Sequence, residues 1–564
     1  MKGILISLLL WLCVFPAYAQ DKPDYLTTPP VSTPFAHSNA DRPAIEPGRV
    51  TLTFEELDSL ILARPDSVLK LGSIETFTDN LESGLEFRRV EVFAPGSQIR
   101  LLSFEGETEL PRDPRQFFIA ANESTGIGLA VNSETGEVNG FASKYGQPMT
   151  ISGNLVGQLE FRPLEEAEAG SSFCGTEMKD QPIDALKDLE SKLIPSVSET
   201  PMGAGISFQA TVAIDTDTEW LDGFGDDTGE ALAWIADIFL AMNVFYERDV
   251  ETRLLIGDVT LRTDTDPYTV TGSRFLQLTE FGGFWRDNMD GVERQFAAMF
   301  SGREISGGSF SGIAWVNSYC NKGWPTEGGA GGSYSYNAIG STRTAANTAL
   351  FVGHELGHNM GSVHTHCYAD PIDKCYNKED GCYDGAPECP ASGKGTVMSY
   401  CHLDRSCGSL QEFHPTVQSL LESRLASQNA AGCIATYEEV SPEPEFDSSP
   451  AAGSLLNFGD QLTGELSDPL LINVSNTGNA DLTVACSLSG DDPASFTINS
   501  CQAVVSPLAN ADLSFACETA SEGLKQAVLT LTTNDADEGT VTYDLQCNGV
   551  EPFDPGMIFE NGFE

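Results

Sequence analysis

The amino-acid sequence predicts a multidomain fold: a mostly β N-terminal region, a central α/β domain on a twisted mixed sheet with one site-bearing helix, and an all-β C-terminal sandwich. Three observations predict it. A length of 564 residues corresponds to roughly three to four domains. The hydropathy pattern switches from short alternating runs to alternating strands and helices, and then back. Polar stretches at Lys179–Ser198 and Glu438–Pro450 fall at the two switches and read as exposed linkers, the first closed by the Gly-rich turn Met202–Gly205. The segments that follow are 1–19, 20–205, 206–436, 437–453, 454–550 and 551–564. A hydrophobic share of 41%, with 54 Gly and 30 Pro, leaves ample apolar surface for packed cores.

Segment 1–19 has Lys2, the apolar run Ile4–Phe15 and the small-x-small pattern Ala17-Tyr18-Ala19, which together read as a removable export signal. The run is shorter than the ~20 residues that span a bilayer, so the mature chain is expected to be secreted without a membrane anchor. Signal and domain style fit a Gram-negative bacterium, with export through the periplasm or to the outer surface. Acidic residues outnumber basic ones, 82 against 31, for a formal charge of -51. That balance excludes a broad basic face for nucleic acid or anionic lipid.

Region 20–205 opens with the Pro-rich stretch Asp21–Pro47 and continues in β-like runs at Phe87–Phe93, Gln98–Phe104 and Gln116–Ala121. Region 206–436 reads as strand Phe208–Ile214, helix Thr228–Arg248, strand Thr252–Leu261, a helix ending near Phe300, and strand Gly312–Val316. Within the first of these helices, Ala231–Phe245 is interrupted by Asp237 and Asn243 and reads as amphipathic. Region 454–550 has runs at Leu470–Val474, Leu482–Leu488, Leu513–Cys517, Ala527–Thr532 and Val541–Cys547. Strands at that spacing imply a β-sandwich, one that resembles the immunoglobulin-like accessory domains of exported bacterial proteins. Its acidic turn Asn534–Glu538 is either a calcium site (Ca²⁺) or an ordinary hairpin loop. Met557–Glu564 closes the chain as an aromatic, acidic tail.

Thiols in an oxidising space tend to pair. Of fourteen cysteines, Cys13 lies in the export signal and Cys174 stands alone. Cys320, Cys367, Cys375, Cys382, Cys389, Cys401, Cys407 and Cys433 form a group of eight, and Cys486, Cys501, Cys517 and Cys547 a group of four. Both groups are even and can close on themselves, with connectivity open.

The chemistry concentrates in Gly353–His364. Ala345, Ala349, Val352, Leu356 and Met360 make a helical apolar stripe. On that helix His354 and His358 are one turn apart on one face, so both imidazoles reach one Zn²⁺. Gly361 supplies a left-handed residue that ends the helix and turns the chain. His364 then returns as a third ligand, leaving a fourth position open for water. Glu355 is offset around the helix, where its carboxylate reaches that water as general base without occupying the metal.

These residues resemble the metzincin metallopeptidases, and among them the reprolysin (adamalysin-like) branch, over about residues 206–436. The extended zinc motif matches His354, Glu355, His358, Gly361 and His364; the Met-turn matches Thr396–Tyr400. The resemblance implies that Met398 forms an apolar floor under the ligands. It also implies that Gly312–Val316, followed by Cys320, is an edge strand that binds an extended peptide by strand addition. Tyr400 stands where astacins and serralysins carry a tyrosine near zinc, and is either a donor to the oxyanion or a packed structural residue. Thr365 departs from the reprolysin pattern, which has Asp there, and the insertion Cys367–Cys389 maps onto no familiar segment. His366 and His402 have no motif role and read as loop histidines. Latent relatives hold a propeptide cysteine on zinc, which casts Cys174 as a cysteine switch and residues 20–205 as an intramolecular inhibitor. The expected activity is a secreted, latent zinc endopeptidase acting on proteins or peptides. The alternatives are a binding or adhesion protein with an inactive peptidase-like domain, and a zinc amidase with a narrow non-protein substrate.

Overall fold

The structure, a computed structural model, describes residues 46–552 except 64–66, 79–84, 123, 156, 165–172, 177–205, 304–310, 340–343, 405–406, 438–442, 479, 502 and 507–508. The predicted export signal, the linker 179–205 and most of the tail lie outside the described residues.

A nine-stranded sheet frames the central region. Its strands are β1 (Ile99–Ser103), β2 (Gly106–Glu109), β3 (Phe173–Thr176), β4 (Phe208–Thr216), β5 (Thr252–Arg262), β6 (Phe296–Ser301), β7 (Ser311–Ala314), β8 (Tyr334–Ala338) and β9 (Ala435–Thr436). They lie in the order β3-β7-β8-β6-β4-β5-β1-β2, with β9 on the start of β4. Strands β1, β5, β4, β6 and β8 run parallel, and β7 lies antiparallel to β8. Three of the nine strands come from residues before 206: β1 and β2 extend one edge, and β3 covers the other.

The longest helices are α1 (Thr228–Val250), α2 (Arg274–Asn288), α3 (Ala345–Asn359) and α4 (Pro415–Ala430). Asp227 starts α1 by accepting from the Glu230 amide, and Glu251 ends it in the left-handed region at φ 48. The amphipathic expectation for α1 is corrected by its burial, which extends almost all the way round. Asp237 is held there by Arg115 at 2.8 Å, and Asn243 by the backbone of Leu254 at 2.8 and 2.9 Å. Among the described residues α1 is long and apolar enough to cross a membrane by length and composition, and it is packed inside the fold. The helix expected to end near Phe300 is also corrected: α2 stops at Asn288, and Phe296–Ser301 is strand β6. All of β6 is buried between β4 and β8, and a short run that is apolar up to its last residue, Ser301, has no period to tell strand from helix.

The rest of the N-terminal region forms an eight-stranded antiparallel sheet. Its strands Gln116–Ala121, Thr125–Val131 and Glu137–Lys144 lie against α1. Residues 446–550 build a four-stranded and a five-stranded sheet around a core that includes Ile472, Phe515, Leu529 and Tyr543. Strands Leu455–Leu462 and Phe496–Ser500 join those anticipated. The group of eight cysteines closes as Cys320–Cys433, Cys367–Cys382, Cys375–Cys401 and Cys389–Cys407; the group of four closes as Cys486–Cys501 and Cys517–Cys547.

Candidate metal centre

Helix α3 begins at Thr344, whose hydroxyl accepts from the Asn347 amide at 3.3 Å. It packs on α1, where Tyr246 Oη donates to the Gly353 carbonyl at 2.7 Å. The chain leaves α3 through Met360 and then Gly361, at φ +114, a conformation that disfavours any side chain. The turn brings His364 back to the two helical histidines.

His358 Nε2 lies 3.0 Å from His354 Nε2 and 3.2 Å from His364 Nε2. Each Nδ1 is already engaged at 2.7 Å: His354 with the Val397 carbonyl, His358 with the Ser362 carbonyl, and His364 with the Glu379 carboxylate. Those oxygens only accept, so each Nδ1 carries the proton and each Nε2 presents a lone pair. Three lone pairs converging in a buried site suit a cation. Burial, followed by the neighbouring histidines, pushes the His354 imidazole well below its ordinary range; burial also lowers His358, to about 3, and moves His364 in the same direction. Neutral imidazoles are what a metal requires. The donor set therefore fits zinc, each ring being held in place by an oxygen that accepts from its other nitrogen.

Glu355 is fully buried next to β7. A Cβ built on Gly312 would stand 2.2 Å from Glu355 Oε1, so only glycine lets the strand pass this close to the carboxylate. Met398 is fully buried with its sulfur against Gly357 on the underside of α3. The Tyr400 ring centroid is 4.0 Å from that of His364, and its plane is stacked with His354 at 6.0 Å.

At the outer edge of the sheet, β3 pairs in parallel with β7, Cys174 opposite Gly312. The edge expected to be open is thus lined by a strand from the N-terminal region. The backbone of Cys174 is placed by this pairing; its side chain lies outside what the structure describes.

Two features were not visible in the sequence. Glu379, within the unfamiliar insertion, accepts from His364 and also contacts His366 Nε2 at 3.0 Å. Burial favours its neutral form, but His364 and His366 hold its carboxyl below the usual range. No spacing rule points to it; the even cysteine count around it was the available signal, since Cys367–Cys382 brackets the residue. His366, expected in a loop, is corrected to a wholly buried residue of a short 3₁₀ turn, Thr365–Cys367, with its ring 5.4 Å from His364. His402 stands at the margin, 6.5 Å from Tyr400 between ring centroids. Thr365 donates from its hydroxyl to Asp373, and its amide donates to Met398 O at 3.0 Å.

Comparison with known proteins covers parts of the chain. Residues 207–409 match the family model described as Metallo-peptidase family M12 (Reprolysin_5). No curated protein matches. Among solved structures, metalloproteinase-II from Bacteroides fragilis aligns at 10% identity and a TM-score of 0.29, over 51% of this chain and 80% of that one. The PapD-like domain 7 of human CEP192 aligns at 14% identity and a TM-score of 0.17, over 20% of this chain and 91% of that one. Through residues 207–409, the segment that carries all three histidines, the chain is similar to the metallo-peptidases of family M12.

Proposed function

We propose that this chain is a secreted zinc endopeptidase of the reprolysin-like branch, made as a latent precursor and acting on extracellular proteins. The observation that carries the reading is the convergence of His354, His358 and His364 through Nε2, with Glu355 beside them and against β7. When bound, zinc supplies the Lewis acidity that activates water and polarises the scissile carbonyl. Glu355 takes the proton of the attacking water and passes it to the leaving amine. The substrate lies along β7 as an added strand, which fixes the scissile bond beside Glu355. Met398 supports the ligands from below. Tyr400 is assigned a hydrogen bond to the developing oxyanion, which the closeness of its ring to His364 supports. No step requires calcium, and the acidic turn 534–538 is left without a role.

Latency follows from β3. A segment paired with β7 competes with a substrate for the same edge, and Cys174, which lies on that segment, would supply a thiolate ligand to the zinc. Residues 20–205 act in this reading as an intramolecular inhibitor. Casein hydrolysis by the secreted chain, before and after cleavage within 179–205, tests the reading beside a Glu355→Ala chain and a chelated sample. Hydrolysis that rises on cleavage and is absent from both controls supports it. A cleaved chain that holds one zinc yet leaves casein intact moves a narrow amidase or a binding role to the front.

A further inference from the structure

The N-terminal region is built into the fold at places remote from β3. Strand β1 continues the central sheet beyond β5, with Ile99–Leu102 in register with Val259–Arg262. Val92 O accepts from the Ile256 amide and Ile256 O from the Ala94 amide, both at 2.7 Å, and Gln98 O accepts from Val259 at 2.9 Å. Arg100 closes this seam on Asp258.

The eight-stranded sheet covers the face of α1 turned away from the central sheet. Phe117, Ile119, Ala130 and Phe141 share one core with Ile235, Phe239 and Leu240. The approach is that of an interior: a Cβ on Gly126 would stand 2.7 Å from Val244 O, and one on Gly128 2.9 Å from Leu240 Cγ. Arg115, bound to Asp113, also reaches Asp237 at 2.8 Å and the Ala233 carbonyl at 2.8 Å on α1. The contact extends to the metal centre. Gly146 O accepts from Gln411 N at 2.7 Å, the next residue's carbonyl, Glu412 O, accepts from Val397 N at 3.0 Å, and Val397 O holds His354.

We propose that residues 46–163 are a permanent, non-covalently held part of the folded peptidase-type domain, retained after the chain is cut between 177 and 205. Their loss would strip a helix that is apolar on nearly every side and leave β5 as a bare parallel strand edge. β3, by contrast, is tied to the central sheet by four register pairs at the opposite edge. A cut within 177–205 leaves β3 joined to the retained 46–163 only through 164–172, so β3 can leave the substrate edge while β1 stays in place. The partner surface is the outer face of α1 together with the free edge of β5, and its occupant is this chain's own N-terminal sheet.

The test uses the full chain with a specific protease site placed within 179–205, in a Glu355→Ala background so that self-cleavage plays no part. After complete cutting, native size exclusion with mass analysis of the peak reads the outcome. The expected result is co-elution of both fragments at the mass of the uncut chain, even after dilution, with separation only in denaturant. A second reading comes from Gly128→Leu in the same background, which should lower the unfolding midpoint of the uncut chain or release the fragment once cut. An N-terminal fragment that elutes alone in native buffer, while residues 206–564 stay soluble and folded, overturns the proposal. Because the readout is association, peptidase activity can fail without affecting it.

Discussion

Glu379 orients His364 from outside the helix that carries the other two histidines, and removing it tests how much of the site depends on that contact. Glu379→Ala should lower zinc affinity by about 10–100-fold, and Glu379→Gln should restore part of the loss because an amide oxygen still accepts from Nδ1; competition against a chelator measures both. Glu355→Gln should keep zinc yet lose about a hundredfold to ten-thousandfold in hydrolysis rate. A third residue, Asp217, gives a pH test away from the metal. It caps the short helix Thr218–Asp222, and burial pushes its carboxyl from 3.8 up to about 6. The folded chain therefore holds that proton more tightly than the unfolded one. The stability it contributes is full below about pH 4 and is lost as pH rises through about 6. Urea unfolding of wild type and Asp217→Asn should diverge between pH 4 and pH 7 in favour of the variant, by up to about 3 kcal/mol. A difference that does not change with pH would show an ordinary carboxyl. His354, His358, Gly361 and His364 were legible from spacing alone, because one helix and one turn relate them. Glu379 and His366 were not, because they reach the site through chain folding inside a disulfide-bound insertion.

Two elements hold the three-histidine site in shape. Helix α3 rests on the Met398 side chain, and a Cβ on Gly357 would stand 2.5 Å from its sulfur. Gly357→Ala should displace Met398 and destabilise the fold by about 1–3 kcal/mol in chemical unfolding, the usual cost of overpacking. The insertion is the second element. With Cys367→Ser and Cys382→Ser together, the loop carrying Glu379 loses its clasp, and zinc affinity should fall as it does in Glu379→Ala. Element by element, the sequence was most readable where a face is exposed. The strand Leu470–Asn476 alternates and lay close to expectation. Strand β6 is buried throughout, so its pattern carries no period from which to read its type; α1 was read as a helix, but burial on nearly every side left no stripe from which to read its facing.

At the scale of the whole molecule, sequence separation hid the main architectural fact. β1 and β5 are 150 residues or more apart in the chain, as the Gln98–Asp258 contact shows at a separation of 160, and no local pattern announces that they pair. The same holds for β3 on β7. Charge, by contrast, is read directly from the sequence, which carries a formal -51. The most direct measurement of the central claim is the zinc X-ray absorption spectrum of the secreted chain, uncut and after β3 has been freed by proteolysis. The expected result is one zinc per chain, bound by three imidazoles in both forms, with a sulfur neighbour in the uncut chain that is replaced by oxygen once β3 is gone. A purified chain that retains no zinc, or one whose zinc has fewer than three imidazole neighbours, would contradict the assignment of His354, His358 and His364.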